Sequence, residues 1–233
     1  MKKQTIIVTG VSSGIGKEIA RHFLENGDNV VINSLAADKL SEVFFELGGG
    51  ENLAMVAGNV SDRVTGIKLL ATAVGKFGSV DVLVNNAAIF ETRSFLNIDE
   101  AYLDRFLDTN FKGTFFTTQG IIPQMLKQGH GVVINIGTQL VCQVPRGATT
   151  TVLLASTGAI HSLTLQLAAE FGKHNIRFNT IAPGTVRKLM QGDMIDRSAG
   201  LNLLNGVGEV EDIARMVYTV AKSNFTTGAI ITT

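Results

Sequence analysis

The residues with the clearest chemical meaning come early. Thr9-Gly10-Val11-Ser12-Ser13-Gly14-Ile15-Gly16 follows an apolar run and opens a segment of helical spacing. Glycine lets the backbone turn tightly and approach a ligand with no Cβ in the way. A helix starting at that point offers free N–H groups and the positive end of its dipole. Together these features suit a pyrophosphate, and strand-turn-helix is the context in which such a glycine pattern is informative. Groups able to move a proton or hold a metal are sparse. His22, His130 and His174 are scattered without metal-ligand spacing, so no metal site is expected. Cys142 is the single cysteine; it makes no intrachain disulfide or thiolate cluster and reads as a small buried hydrophobe in a reducing compartment. Asp193 and Asp196 read as surface charge.

The elements that must position the glycine loop are legible as short runs rich in Val and Ile. They fall at Thr5 to Val8, Asn29 to Ile32, Leu53 to Val56, Val80 to Val84, Val132 to Ile136, Ile176 to Ile181 and Ala229 to Ile231. Runs that are apolar on every residue suit parallel strands covered on both faces, and intervening helices supply the crossovers. Helical spacing predicts Ile15 to Glu25, Ala37 to Leu47, Val64 to Phe77, Asp99 to Lys127, Val152 to Lys173 and Glu209 to Lys222. Gly27, Gly48 to Gly50 and Gly78 stand just past helix ends, where a left-handed cap is wanted. The pattern predicts a doubly wound α/β sheet, and the absence of a linker or repeat makes residues 1–233 one domain.

Composition narrows the partners. Hydrophobic residues make up 45% of the 233, enough for a sizeable core. Twenty basic residues balance twenty acidic ones with no basic run, so neither nucleic acid nor an anionic membrane is expected as a partner. The apolar run Ile6-Ile7-Val8 stops at Thr9-Gly10, which reads as a strand and not an export signal. No apolar stretch approaches the ~20 residues of a membrane-spanning helix. A soluble, cytoplasmic protein with a small-molecule partner is expected.

Further motifs sharpen the reading. Thr9-Gly10-x-x-x-Gly14-x-Gly16 resembles the signature of the short-chain dehydrogenase/reductase (SDR) family, and the likeness runs through nearly the whole chain. Asn59-Val60 resembles the Asp-Val that touches adenine. Asn85-Asn86-Ala87-Ala88 resembles the family's N-N-A-G, and Asn110 matches the helix asparagine that holds a water in its proton relay. Pro183-Gly184-Thr185-Val186 matches the loop beside the nicotinamide. The resemblance implies a Rossmann-like, mainly parallel seven-stranded sheet with helices on both faces, an NAD or NADP cofactor, and carbonyl/alcohol oxidoreduction. It also implies a homodimer or homotetramer. On that basis the cofactor residues are Gly10, Ser12, Ser13, Gly14, Ile15, Gly16, Ser34, Asn59, Val60, Asn86, Ala87, Pro183, Gly184 and Val186. Ser34, after the second strand, neither pairs with a ribose hydroxyl as an acid would nor clamps a 2′-phosphate. Lys17 or Lys39 is the nearest candidate for that phosphate, and the choice leans slightly to NADP.

The catalytic pattern departs from the resemblance. The family uses a tyrosine to exchange a proton with the substrate oxygen, a lysine four residues later to lower its pKa, and a serine on the same oxygen. Thr138 keeps the serine's hydroxyl, while Leu153 stands at the tyrosine position and Thr157 at the lysine position. The only tyrosines are Tyr102 and Tyr218, and no lysine lies between Lys127 and Lys173. Losing a proton-transfer group typically costs about 10²- to 10⁴-fold in rate. Weak or altered catalysis is one expectation, with Asn110 and Thr138 as the remaining catalytic positions. An inactive dinucleotide-binding, regulatory or assembly protein is the other. His161, one turn beyond Thr157, is open to two readings: a substitute titrating group, or a histidine packed at a helix contact with one nitrogen bonded to backbone. Arg146 reads as a solvated loop residue or an anion-binding one. Lys188 replaces a threonine that would bond the carboxamide, and Leu189, Met190, Leu201, Leu203 and Leu204 point to an apolar substrate wall.

Overall fold

The structure is a computed structural model that describes residues 3–144, 146–187 and 206–233. The expectations placed on Lys188, Leu189, Met190, Asp193, Asp196, Leu201, Leu203 and Leu204 fall outside the described residues. The strands are β1 (Thr5–Thr9), β2 (Asn29–Ser34), β3 (Leu53–Ala57), β4 (Val82–Asn85), β5 (Gly131–Ile136), β6 (Ile176–Ala182) and β7 (Ala229–Thr232). They form one seven-stranded sheet in the order β3-β2-β1-β4-β5-β6-β7, with every pairing parallel. The order reverses between β1 and β4, which opens a crevice at the carboxyl ends of the strands.

The uniformly apolar strands divide their side chains between two layers. Ile6, Val8, Val30, Ile32, Val82 and Val84 pack with Ile19 and Phe23 of α1 (Gly14–Glu25) and Ile213 and Val217 of α7 (Val210–Lys222). Ile7, Val31, Leu83 and Val133 face the other way, onto Leu69 of α3 (Arg63–Phe77), Ile121 and Met125 of α5 (Gly113–Gln128) and Ala168 of α6 (Thr151–Phe171). A fully buried side chain such as Phe23 or Phe178 contributes roughly 1.5–3 kcal/mol. The shorter α2 (Ala37–Glu46) covers β2 and β3 with Leu40 and Val43.

Polar groups close the amino end of the sheet and leave the carboxyl end free. Asp28 accepts from the Gln4 N–H and from Lys222 Nζ, both at 2.9 Å. Asp81 accepts from the Thr5 N–H at 2.7 Å and lies 2.9 Å from His130 Nε2. The buried Arg177 donates to the carbonyls of Val220, Ala221 and Thr226 at 2.8–3.0 Å, capping the last turn of α7.

Several expectations need correction. The single helix expected from Asp99 to Lys127 is α4 (Glu100–Phe106), a π-helical turn at Leu107–Lys112, and α5. Side-chain periodicity is blind to this widening, because the π turn keeps the chain helical while shifting the register of one turn. Cys142 is exposed beyond the end of β5, not buried. Thr151–His174 is long and apolar enough to cross a membrane by length and composition, against the expectation that no stretch would be, and 44% of its apolar window is buried. Its Ser, Thr, Gly and His residues count little against it in hydropathy. Its stripe Leu153, Thr157, Ile160, His161, Thr164 and Ala168 is buried within the fold.

Candidate functional site

The glycine loop is built to lie against the turn after β4. Gly10 and Gly14 have φ of 71° and 63°, a left-handed conformation that side chains disfavour. A Cβ at Gly10 would meet Ala87 Cα at 2.6 Å, and one at Gly16 would meet Asn86 Nδ2 at 2.3 Å. Asn86 fastens the loop: its amide donates to the carbonyls of Thr9 at 3.1 Å and Gly10 at 2.9 Å. Thr9 Oγ1 answers by accepting the N–H groups of Asn86 and Ala87, both at 3.1 Å. Ser13 at the start of α1 is extended and makes no side-chain cap, and the first turn holds no acidic residue. The first-turn N–H groups of α1 are therefore without a side-chain cap or a repelling charge, an arrangement that attracts an anion.

A cavity of about 440 Å³ opens from this loop along the carboxyl ends of the strands, within the roughly 300–1,000 Å³ of small-molecule sites. At the loop it is lined by Gly10, Ser12, Ser13, Ile15, Asn86 and Ala87. Toward β2 and β3 the lining is Asn33, Ser34, Leu35, Gly58, Asn59 and Val60. Asn33 is occupied in structure, donating to the carbonyls of Val56 at 2.9 Å and Gly58 at 3.1 Å. In the opposite direction come Ala88, Ile89, Phe90 and Thr109, then Ile136, Gly137 and Thr138, and finally Leu153, Thr157, Pro183 and Gly184.

Most sequence-predicted residues thus meet in one cavity, and four do not line it. Gly14 and Gly16 are buried in the start of α1, where the lack of a side chain at Gly16 lets the loop close on Asn86. Val186 is 2% exposed in the core with Val210 and Ile213. Asn110 lies behind the wall in the π turn. Its Oδ1 accepts the Ile89 N–H at 2.9 Å, and its Nδ2 donates to the Ile89 carbonyl and to Ser156 Oγ, both at 3.2 Å. The π turn aims Asn110 at the strap that carries Phe90. Asn33, Leu35, Gly58, Ala88, Ile89, Phe90, Thr109, Ile136 and Gly137 also line the cavity and were not among the predicted site residues. Each follows a strand end or neighbours a named residue, and that adjacency was the available signal.

The electrostatics are unusual in their plainness. None of the described lining residues carries an ionisable side chain. Tyr102 is buried against Phe106, with Arg93 stacked on its ring at 4.0 Å, and Tyr218 packs against Phe23 beside α1. Lys17 is paired with Glu46, Lys39 is exposed, and Arg146 is an exposed loop residue; none lines the cavity. Thr138 Oγ1 accepts the Leu140 N–H at 3.3 Å, which leaves its proton free to donate. His161 does not line the cavity. It is 8% exposed beneath the cavity floor, and among the described residues its Nε2 has no hydrogen-bond partner. Burial holds its pKa below the ordinary imidazole value.

The loop, the switch-point cavity and the parallel order coincide with a match to the short chain dehydrogenase family model over residues 4–198. The chain belongs to the short-chain dehydrogenase/reductase family. It is 34% identical over 239 residues to an L-rhamnose-1-dehydrogenase of Scheffersomyces stipitis, covering 97% of this chain and 92% of that one. It is also 34% identical over 237 residues to a 3-oxoacyl-[acyl-carrier-protein] reductase of Staphylococcus epidermidis, covering 98% and 96%. Among solved structures it resembles ElxO with NADP bound, at a TM-score of 0.91 and 26% identity, covering 99% of this chain and 97% of that one. SDR membership supports nicotinamide dinucleotide binding. The uncapped α1 terminus and the cradle that a Cβ would fill at Gly10 and Gly16 fit such a group.

Proposed function

We propose that this SDR protein holds NAD or NADP across the carboxyl ends of β1 to β6 and is weak or altered as a carbonyl/alcohol oxidoreductase. The observation that carries the reading is the cavity. It is continuous from the glycine loop to Thr138, Leu153 and Thr157, and its described lining holds no ionisable side chain. When bound, the nicotinamide supplies or accepts hydride at its ring carbon. The α1 N-terminus and the N–H groups at Ser12 and Ser13 would hold the diphosphate. Asn59 and Val60 would take the adenine, Ser34 the ribose, and Pro183 and Gly184 the nicotinamide. Thr138 Oγ donates a hydrogen bond to the substrate oxygen, with Asn110 bracing the Ile89 strap behind it. Leu153 presents an apolar wall but has no proton to give, and Thr157 brings a hydroxyl where the family has a cation. With no acid in the described lining, the proton for the reduced oxygen would come from water entering the cavity.

The absence of a carboxylate at Ser34 supports tolerance of a 2′-phosphate, and ElxO is known with NADP; a slight preference for NADP follows. The long faces of α5 and α6 support a homodimer or homotetramer, and the balanced charge supports a cytoplasmic location without nucleic acid or membrane partners. Leu153 and Thr157 also favour a second reading, an inactive dinucleotide-binding or regulatory protein. Calorimetric titration with NADPH and NADH, followed by a carbonyl panel, separates the two readings. Micromolar binding with slow turnover that falls on Thr138→Val supports the first. Binding without turnover supports the second, and no binding by either nucleotide refutes the first and leaves of the second only a regulatory or assembly role.

A further inference from the structure

His161 is a polar side chain in a place where an aliphatic one would cost less. It sits on α6 one turn past Thr157, 8% exposed, and its Nε2 is sealed from solvent with no hydrogen-bond partner among the described residues. The ring fills the space that a side chain at Gly137 would need: a Cβ there would meet Nε2 at 2.7 Å and Thr180 Cγ2 at 2.9 Å. Gly137 is at once the roof over the imidazole and part of the cavity floor. That floor is a tied sheet end. The Gly137 N–H donates to the Ile181 carbonyl at 2.7 Å, and the Gln139 N–H donates to the Pro183 carbonyl at 3.0 Å. Gly137, Thr138, Pro183 and Gly184 all line the cavity, so the seat of the imidazole and the seat of the ligand share one layer of backbone.

Among the described residues no charge stands ready to compensate a protonated ring. On α6 its neighbours are Thr157, Ile160 and Thr164, and the acidic Glu170 is exposed more than two turns away. β5 and β7 carry no ionisable residue, and the only one on β6, Arg177, is engaged with carbonyls at the opposite end of that strand. The π turn behind α6 holds Asp108 and Lys112, which pair with each other at the surface. Cys142, past the end of β5, is exposed. On α4, Glu100, Asp104 and Arg105 are exposed and Tyr102 is buried beneath Arg93. Lys173 and His174, past the far end of α6, are exposed.

We propose that His161 is a positioning residue for the cavity floor: the neutral ring supports Gly137 and Thr138 in the binding arrangement, and protonation opens that layer and weakens dinucleotide binding. The proposal rests on the dinucleotide reading above. A cationic imidazole packed beneath the Gly137 backbone, with no partner among the described residues, is an unpaired buried charge, which the fold avoids by admitting water. The water enters by lifting the end of β5 from β6, and that movement takes Thr138 and Pro183 out of place. Burial as the sole cause of the depressed pKa agrees with this geometry. Because the folded value lies below the unfolded one, the stabilisation is whole above the unfolded pKa of about 6.5. It is lost as pH falls below that value toward the folded one.

The test measures NAD+ affinity by calorimetry, and melting temperature without nucleotide, from about pH 8 down to about pH 5 for the native chain, His161→Leu and His161→Gln. NAD+ is chosen because it lacks the 2′-phosphate that titrates in this range. Expected for the native chain is a weakening of affinity approaching tenfold per pH unit on the acid side, with a parallel fall in melting temperature. Both profiles are flat in the two variants and retained in His130→Gln. An acid loss of affinity that persists in both His161 variants overturns the proposal, as does a flat native profile. A fall in melting temperature with constant affinity reduces His161 to a structural residue and overturns the positioning role. If NAD+ binds at no pH the dinucleotide reading fails, and the positioning role, which is defined by binding, is overturned with it. The melting series then still reports whether His161 makes the fold acid-sensitive.

Discussion

Gly16→Ala tests the link between the glycine loop and the turn after β4. The added methyl would lie 2.3 Å from Asn86 Nδ2 and 2.5 Å from the Gly10 carbonyl oxygen. Neither neighbour is the free end of a flexible chain, since the Asn86 amide is already committed to the carbonyls of Thr9 and Gly10. Relief requires the amide to turn away, at a cost of about 1 kcal/mol for each of two hydrogen bonds, or about 2 kcal/mol in total. Alanine returns up to about 1 kcal/mol through its helix propensity, so global stability falls by only about 1 kcal/mol. Binding bears the larger effect, because a loop relaxed in the free variant must be forced back onto the nucleotide. The full 2 kcal/mol corresponds to about a 30-fold loss of affinity. Calorimetry with NADH and NADPH reads this directly, and Asn86→Ala in the same chain should make the two costs less than additive. Affinities within about twofold of the native value for both nucleotides would refute the reasoning.

Three further outcomes are expected. Leu153→Tyr combined with Thr157→Lys should raise NADPH-dependent ketone reduction by at least about 10²-fold in steady-state assays; no gain would argue that these two positions do not face the reacting carbon. Arg177→Leu strips the donor from three carbonyls and should cost about 3 kcal/mol, lowering the melting temperature by about 6–12 °C with nucleotide affinity retained in the folded fraction. Gly75→Ala, in α3 with open space where the methyl would go, should stabilise the fold by about 0.5–1 kcal/mol; an unchanged or lower midpoint in urea would contradict the open environment.

The sequence by itself determined the local and repetitive features. Val-Ile runs apolar at every position are what parallel strands covered on both sides need, so Ile6 and Ile7 pointed to two packed layers before either was seen. A strand followed by Gly10, Gly14 and Gly16 announced the loop, because left-handed backbone and Cβ-free contact are written in residue type. That Leu153 and Thr157 bring no ionisable side chain to the cavity is likewise written in residue type. Tertiary structure alone decided what depends on which surfaces meet. The π turn at Leu107–Lys112 interrupts a continuous helical pattern without any change in polarity. Its effect is to bring Asn110 to Ile89, 21 residues away in sequence. Cys142 has the type of a core residue and the position of a surface one, because a loop's burial depends on what packs over it. His161 shows the same limit: one imidazole suits a catalytic base, a backbone-bonded packing residue or an unpaired buried ring. The choice was made by Gly137, just past the end of β5, whose missing side chain left the space that the ring fills.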